Sequence, residues 1–388
     1  MSRVRYASMS FAGLFAIAVT ATLMGTSFPI IVKEFNLPLA LLGALASAWA
    51  AGYLLSFVGG LLSDRYGEAP IISVSFLIVG VSAGLISVAP TYDRLLILFL
   101  LGGVGAAFGE AAMNPLISKL FPKRSGFALN VLHLFYSLGS FVGPILAGLV
   151  ISWYGNWRLS YSIMATIFAP LIVISMLASR KSHGARARMV EPGKGVAMGE
   201  FIKRGRALML AGFFYLGAEM GTTAWLPTFL VLVRGFSIEL AGVSLGLFWG
   251  AMAVGRLVLG SVTDRVRFRR MILFSSMLSA VLIFLGIMVG GESWIILFWS
   301  LSGFVMAPIM PTVFAWTNRL FDSRIGFVTG VIYGVGFAGG VFSPWLLGTL
   351  ADLLSLRFAM LYLVFSASAI GVSILMANDS VLFRNNDG

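Results

Sequence analysis

Gly60-Leu61-Leu62-Ser63-Asp64-Arg65 returns as Gly260-Ser261-Val262-Thr263-Asp264-Arg265, 200 residues later. The same offset links Gly103 with Gly303, Phe121 with Phe321, Arg124 with Arg324 and Gly126 with Gly326. It also links Gly139 with Gly339, Pro144 with Pro344 and Gly148 with Gly348. One match could be chance, but a series in register is a duplicated unit. Because the copies run in the same sense, the two units are expected to share one orientation.

The units are made of apolar helices. Of the 388 residues 59% are apolar and 11% charged, against about a quarter charged in a soluble protein. That excludes a soluble enzyme and a disordered chain, and the absence of cysteine excludes a disulfide scaffold. Two histidines, His133 and His183, leave a multi-histidine metal site unexpected, and no cofactor is expected. No nucleophile–base pair or metal cluster suggests an enzyme.

A bilayer core needs about 20 apolar residues per helix. Twelve stretches qualify, near 8–32, 38–62, 70–90, 95–118, 125–153, 157–179, 207–233, 240–263, 271–290, 294–318, 325–351 and 357–377. The expected architecture is all-α and polytopic, with six-helix bundles at 1–179 and 206–388. A basic cytoplasmic linker at 180–205 joins them and ends in a short surface helix near Glu200–Arg206. The tail after Ala377 is expected to be disordered. With the N-terminus inside, 21 Lys and Arg fall on the cytoplasmic side and 5 outside. The net charge of +12 therefore reads as a topology signal, with both termini in the cytoplasm, rather than as a nucleic-acid footprint.

An ionisable group at bilayer depth is costly unless paired or wet, so each is a functional candidate. Glu110, His133, Glu219 and Arg256 lie about 12–20 Å from the cytoplasmic ends of their spans at 1.5 Å per residue. Helical spacing adds Asn114 beside Glu110, and Asn130, Tyr136, Ser137 and Ser140 along the His133 stripe. It also groups Tyr215, Thr222 and Thr223 with Glu219, and Trp49 with Tyr53 and Ser56. Hydroxyls and amides should point inward, because lipid offers no partners. Each has a plainer reading: Ser137, Ser140 and Thr222 as bonds to their own helix, Asn114, Asn130 and His133 as interhelical ties, and Arg256 as a brace.

The loop Gly60-x-x-x-Asp64-Arg65-x-Gly67 and its echo after the eighth span resemble the marker of the major facilitator superfamily, and the likeness covers nearly the whole chain. The family usually follows that glycine with basic residues, where Glu68 and Ala69 stand in this sequence. In the second copy Arg267, Arg269 and Arg270 keep the charge. The resemblance implies two rocking bundles with a site between them. It implies a gating latch as well, in which Asp64, Arg65 and Arg124, with Asp264, Arg265 and Arg324, hold the outward-facing state and separate when the cytoplasmic side opens.

Gly109-Glu110-Ala111-Ala112-Met113-Asn114-Pro115 and Arg124-x-Gly126-x-x-x-Asn130-x-x-His133-x-x-Tyr136-x-x-Gly139 further resemble the fucose–galactose–glucose:proton symporter branch and its glucose-transporting relatives. That likeness implies a neutral sugar or polyol as substrate, with a proton, or alternatively sodium, as coupling ion. Coupling is expected at Glu110, Glu219 and His133. Substrate contacts are expected at Tyr53, Asn114, Asn130, His133 and Tyr136, and at Trp249, Arg256 and Tyr333, with Trp49 and Trp316 as other aromatic candidates. The branch's acid in span 1 is missing, since Thr20, Thr22, Thr26 and Ser27 stand there, so its stoichiometry does not carry over. Gly139-x-x-x-Gly143-Pro144-x-x-x-Gly148 resembles a segment of drug/proton antiporters, which keeps an exporter as the alternative. A receptor or scaffold is a third reading, disfavoured by buried acids in both halves. One chain holding both halves is expected to work as a monomer, in a prokaryotic inner membrane.

Overall fold

The computed structural model describes residues 3–180, 198–260, 266–320 and 325–377. Among these, twelve helices are long and apolar enough to cross a membrane. In chain order they are α1 Arg3–Phe35, α2 Leu39–Tyr66, α3 Glu68–Ile86, α4 Tyr92–Leu120, α5 Pro122–Tyr154 and α6 Arg158–Ser179. The second set is α7 Arg204–Arg234, α8 Ile238–Val258, α9 Phe268–Met288, α10 Glu292–Thr317, α11 Gly330–Leu353 and α12 Leu356–Leu375. The protein is an all-helical, multi-pass membrane protein built as two six-helix bundles. An even number of crossings puts both chain ends on one face, called below the terminal face.

Each helix overlaps one expected span. α1, α4, α5 and α7 run past theirs at both ends, as tilted spans that project beyond the hydrocarbon do, whereas α3 stops at Ile86, short of the expected 90, and α9 at Met288, short of 290. The separate surface helix expected near Glu200–Arg206 does not form. Residues 198–234 are one continuous helix, so that stretch is the start of α7. Most of the linker and the tail beyond Ala377 lie outside the described residues.

Two spans are interrupted at mid-depth. A 3-10 turn at Tyr53–Leu55 breaks the α-helical pattern of α2, and Ala307 and Pro308 separate two helical segments of α10. A 3-10 turn within a helix re-aims its side chains, and both breaks reach the central cavity.

The bundles meet where backbone can touch backbone. A Cβ on Gly43 would stand 2.3 Å from the Pro344 carbonyl oxygen, and one on Gly348 2.5 Å from that of Leu39. The α5–α8 seam repeats the arrangement. Gly242 faces the Pro144 carbonyl at 2.4 Å and Gly148 the Ile238 carbonyl at 3.0 Å. Pro144/Pro344 and Gly148/Gly348 are pairs of the 200-residue repeat, and small residues there let helices close on each other. Between α1 and α7, a Cβ on Gly25 would lie 2.0 Å from the Thr223 carbonyl.

These seams lie toward the face opposite the termini. Asp352, at the end of α11, accepts hydrogen bonds from the backbone N–H of Leu39 and of Ala40, each at 2.8 Å. Those amides open α2, where N–H groups lack partners within their own helix. The carboxylate therefore caps a helix of the other bundle and sits at the positive end of its dipole. Ser47 adds a bond to the Val341 carbonyl at 2.5 Å. On the same face Glu34 of α1 accepts from Trp157 Nε1 at 2.7 Å and from Arg158 Nη1 at 2.6 Å.

The terminal face differs. Among the described residues, a Cβ on Gly60, Gly126, Gly260, Gly330 or Gly334 would meet nothing within 4 Å. The helices that touch at one face stand apart at the other.

Asp352→Ala removes a cap of about 1 kcal/mol, a shift of about fivefold in a two-state population. Spin labels on cysteines replacing the exposed Trp153 and Trp294 report this directly, because the chain has no native cysteine. The longer inter-label distance is expected to gain population in the variant.

Candidate functional site

The space between the bundles is a cavity of about 660 Å³, a volume ordinary for a small-molecule site. α2, α4 and α5 supply Tyr53, Glu110, Asn130, His133, Tyr136 and Ser137 to its wall. α7, α8 and α11 supply Tyr215, Glu219, Met220, Arg256, Tyr333 and Phe337. α10 contributes its broken stretch, Ala307, Pro308, Met310, Pro311, Phe314 and Ala315. The wall runs from mid-depth to Leu257 and Gly260 near the terminal end of α8. With the far face sealed, the cavity opens toward the terminal face.

Glu110 is held by Tyr53. The phenol of Tyr53 donates to Glu110 Oε1 at 2.8 Å, which joins α2 to α4. The 3-10 turn carrying Tyr53 aims it there. Among the described residues neither His133 nor Arg256 makes a hydrogen bond or ion pair with Glu110. Glu219 lines the same cavity from the other bundle.

Arg256 bridges α8 to α5, its Nη1 donating to Ser137 Oγ at 2.8 Å, with Nη2 3.6 Å from Met252 Sδ. It is thus a brace, yet its charge still acts on Glu219. No carboxylate oxygen of the described residues lies within 4.0 Å of its guanidinium. Glu219 is 6% exposed, and among the described residues its Oε2 and the Tyr215 hydroxyl are buried without a well-formed hydrogen bond, although Tyr215 lies close enough to both Glu219 and Arg256 to interact with each. Thr223 and Ser137 bond carbonyls of their own helices, at Glu219 and His133. Thr222 and Ser140 do not.

The other side of the cavity is aromatic. Tyr53 stacks on Phe337 with centroids 4.4 Å apart and planes 17° apart. Phe337 lies 6.0 Å from Tyr333, which stacks on Phe314 at 4.6 Å. The column crosses from α2 to α11 to α10. Phe314 and Phe337 were not singled out from sequence, although Phe337 lies four residues from Tyr333 and shares its helix face.

Several expected contacts fall elsewhere. Asn114 is off the cavity wall, donating to the Glu110 carbonyl oxygen at 3.0 Å. Trp249 lies behind Tyr136, ring against ring at 6.1 Å, and is 2% exposed. Trp49 is packed against Gly102 and Gly103, and neither it nor Trp316 reaches the wall. Spacing places a residue on a face of its helix, while the rotation of that helix in the bundle decides what the face sees.

Of the expected gating residues, Asp64, Arg65 and Arg124 are exposed at the terminal face. Asp64 and Arg124 have no hydrogen-bond or ion-pair partner among the described residues, and Arg65 lies 5.2 Å from the Tyr66 ring. Asp264, Arg265 and Arg324 lie outside the described residues. Glu68 opens α3 and pairs with Lys119 at the end of α4.

A duplicated helical bundle around a charged central cavity is the build of a membrane transporter. The chain belongs to the Major Facilitator Superfamily, whose family model matches residues 10–344 and 245–383. It is 22% identical to the fosmidomycin resistance protein of Escherichia coli (strain K12) over 335 residues, covering 84% of this chain and 81% of that one. It is 24% identical to the hexuronate transporter of Bacillus subtilis (strain 168) over 348 residues, covering 84% and 82%. Its fold matches the crystal structure of a bacterial homologue of the human lysosomal transporter Spinster, in an inward-facing and occupied conformation. The TM-score is 0.79 at 15% identity, over 97% of this chain and 96% of that one.

In this cysteine-free chain, Asn130→Cys and Ala315→Cys are expected to react with a membrane-impermeant thiol reagent supplied at the terminal face. Trp249→Cys and Ser47→Cys, off the wall, are expected to stay unlabelled.

Proposed function

We propose that this transporter carries a sugar-sized, hydroxylated solute of the sugar or polyol class by alternating access, with the proton as coupling ion. The observation that carries the reading is the two-sided cavity. One side offers His133, Asn130, Tyr136 and Tyr215 as neutral hydrogen-bonding groups. The other offers the aromatic column to the CH edges of a ring or chain. A relative named as a hexuronate transporter supports the size class.

The excess of basic residues on loops of the terminal face supports cytoplasmic termini in an inner membrane. In that orientation the observed conformer is open to the cytoplasm. Asp64 and Arg124 are exposed in it, and the latch they would form with the second copy belongs to the outward-facing state. The two bundles rock about the cavity, and the carboxylates Glu110 and Glu219 exchange protons with the side that is open. His133 is the third candidate in coupling. A carboxylate also serves sodium, which is the alternative ion. A monomer suffices, since one chain encloses the cavity.

A second reading, a proton-coupled exporter, is favoured by the relative named for fosmidomycin resistance. The antiporter-like segment adds little to it. Gly139 and Gly143 receive α1 backbone, and Gly148 and Pro144 receive α8, a packing that either transport direction can use.

Proteoliposomes loaded with pyranine decide between them. A hexose, polyol or sugar-derived acid added outside is expected to move protons, and Glu219→Gln is expected to keep solute exchange while losing gradient-driven accumulation. No response to any of them, with lipophilic drugs moving protons instead, turns the assignment to the exporter.

A further inference from the structure

Among the described residues no anion touches Arg256, a cation at bilayer depth. A guanidinium carries five N–H donors in a planar fork. One side of this fork is held by Ser137, and a thioether touches another nitrogen. The carboxylate whose field it shares, Glu219, keeps Oε2 buried and without a well-formed hydrogen bond among the described residues. Both residues face the cavity. A charged side chain in such a place normally pairs, and the planar fork suits a carboxylate, which it can hold bidentately.

We infer that the solute carries a carboxylate, that it is a hydroxylated monocarboxylic acid of hexose size, and that its carboxylate docks on Arg256 while a proton neutralises Glu219. The inference deepens the proposed function and rests on it. Ser137 fixes the guanidinium so that its remaining donors stay aimed into the cavity. The hydroxyls of the solute meet His133, Asn130 and Tyr136, and its CH groups lie on the Tyr53–Phe337 stack.

Coupling then follows from charge alone. With Glu219 ionised, Arg256 already has a counter-charge and an incoming carboxylate is repelled. With a proton on Glu219 the incoming carboxylate takes its place. One proton therefore enters with one anion, and the pair crosses without net charge. The other titratable groups around Glu219 are Tyr215 on its own helix, Glu110 from α4, Tyr136 and His133 from α5, and Tyr53 and Tyr333 from α2 and α11. α1, α10 and α12 add no ionisable group to the cavity wall. Glu110 is already engaged by Tyr53, which leaves Glu219 as the acid next to the docking point.

The test is calorimetric binding to the purified full chain, with D-gluconate and D-glucuronate set against D-glucose and D-sorbitol. Titrations in two buffers of different ionisation enthalpy count the protons taken up. The acids are expected to bind with one proton each, and the neutral pair at least about tenfold more weakly. Arg256→Gln is expected to cost the acids about 30-fold or more, as removal of one partner from a buried charge pair does. If that variant does not fold, Arg256→Lys, which keeps the charge without the fork, is expected to cost several-fold. Glu219→Gln is expected to bind the acids with no proton uptake. Neutral solutes binding as well as the acids would overturn the inference and leave the sugar-class reading standing. Acids that bind without proton uptake, or equally well to the Arg256 variants, would overturn it too. If no member of either series binds, both readings fall.

Discussion

Everything in this molecule hangs on how near two backbones can come. At the α2–α11 and α5–α8 seams, carbonyl oxygens sit where a side chain would have to be, and only glycine leaves the room. Contact so close is short-ranged and fixes the helices at one level of the membrane. Below that level the same helices diverge, and the volume between them becomes the cavity. The seams and the cavity are two results of one crossing geometry.

What the cavity encloses is set by a second constraint, the cost of charge away from water. Two acids, one arginine and one histidine sit in a wall whose other polar side chains are four tyrosines, Asn130 and Ser137, and whose remainder is apolar. Glu110 is satisfied locally by Tyr53. Arg256 is satisfied in part by Ser137. Glu219 and Tyr215 are left with unmet capacity on the same side. A fully paired network would be a rigid core, whereas one with capacity left over can respond to a proton or a solute.

The twelve spans and the repeat were legible because they depend on hydrophobic length and on spacing, both properties of a linear chain. So were the intramembrane charges, since rarity marks them. The partners of those charges were not. Tyr53 and Glu110 are 57 residues apart on different helices, and their meeting depends on a turn of 3-10 geometry that apolar sequence does not announce. Asn114 looked equivalent to Glu110 by spacing, yet its amide turns back to its own helix. Phe314 and Phe337 were lost among 32 phenylalanines, most of which read equally well as lipid-facing. The capping of α2 by Asp352, 313 residues from Leu39, is a tertiary fact.

The Tyr53–Phe337 stack joins the two halves by a contact of a different mechanical kind from the Asp352 cap. Stacked rings attract over a broad range of offsets, so they can slide laterally with small changes in energy. A pair of 2.8 Å hydrogen bonds weakens steeply as distance and angle change. During a rocking motion the first behaves as a lubricated bearing and the second as a brittle catch. The path of the motion would then be guided at mid-membrane, while its waiting time is set at the rim.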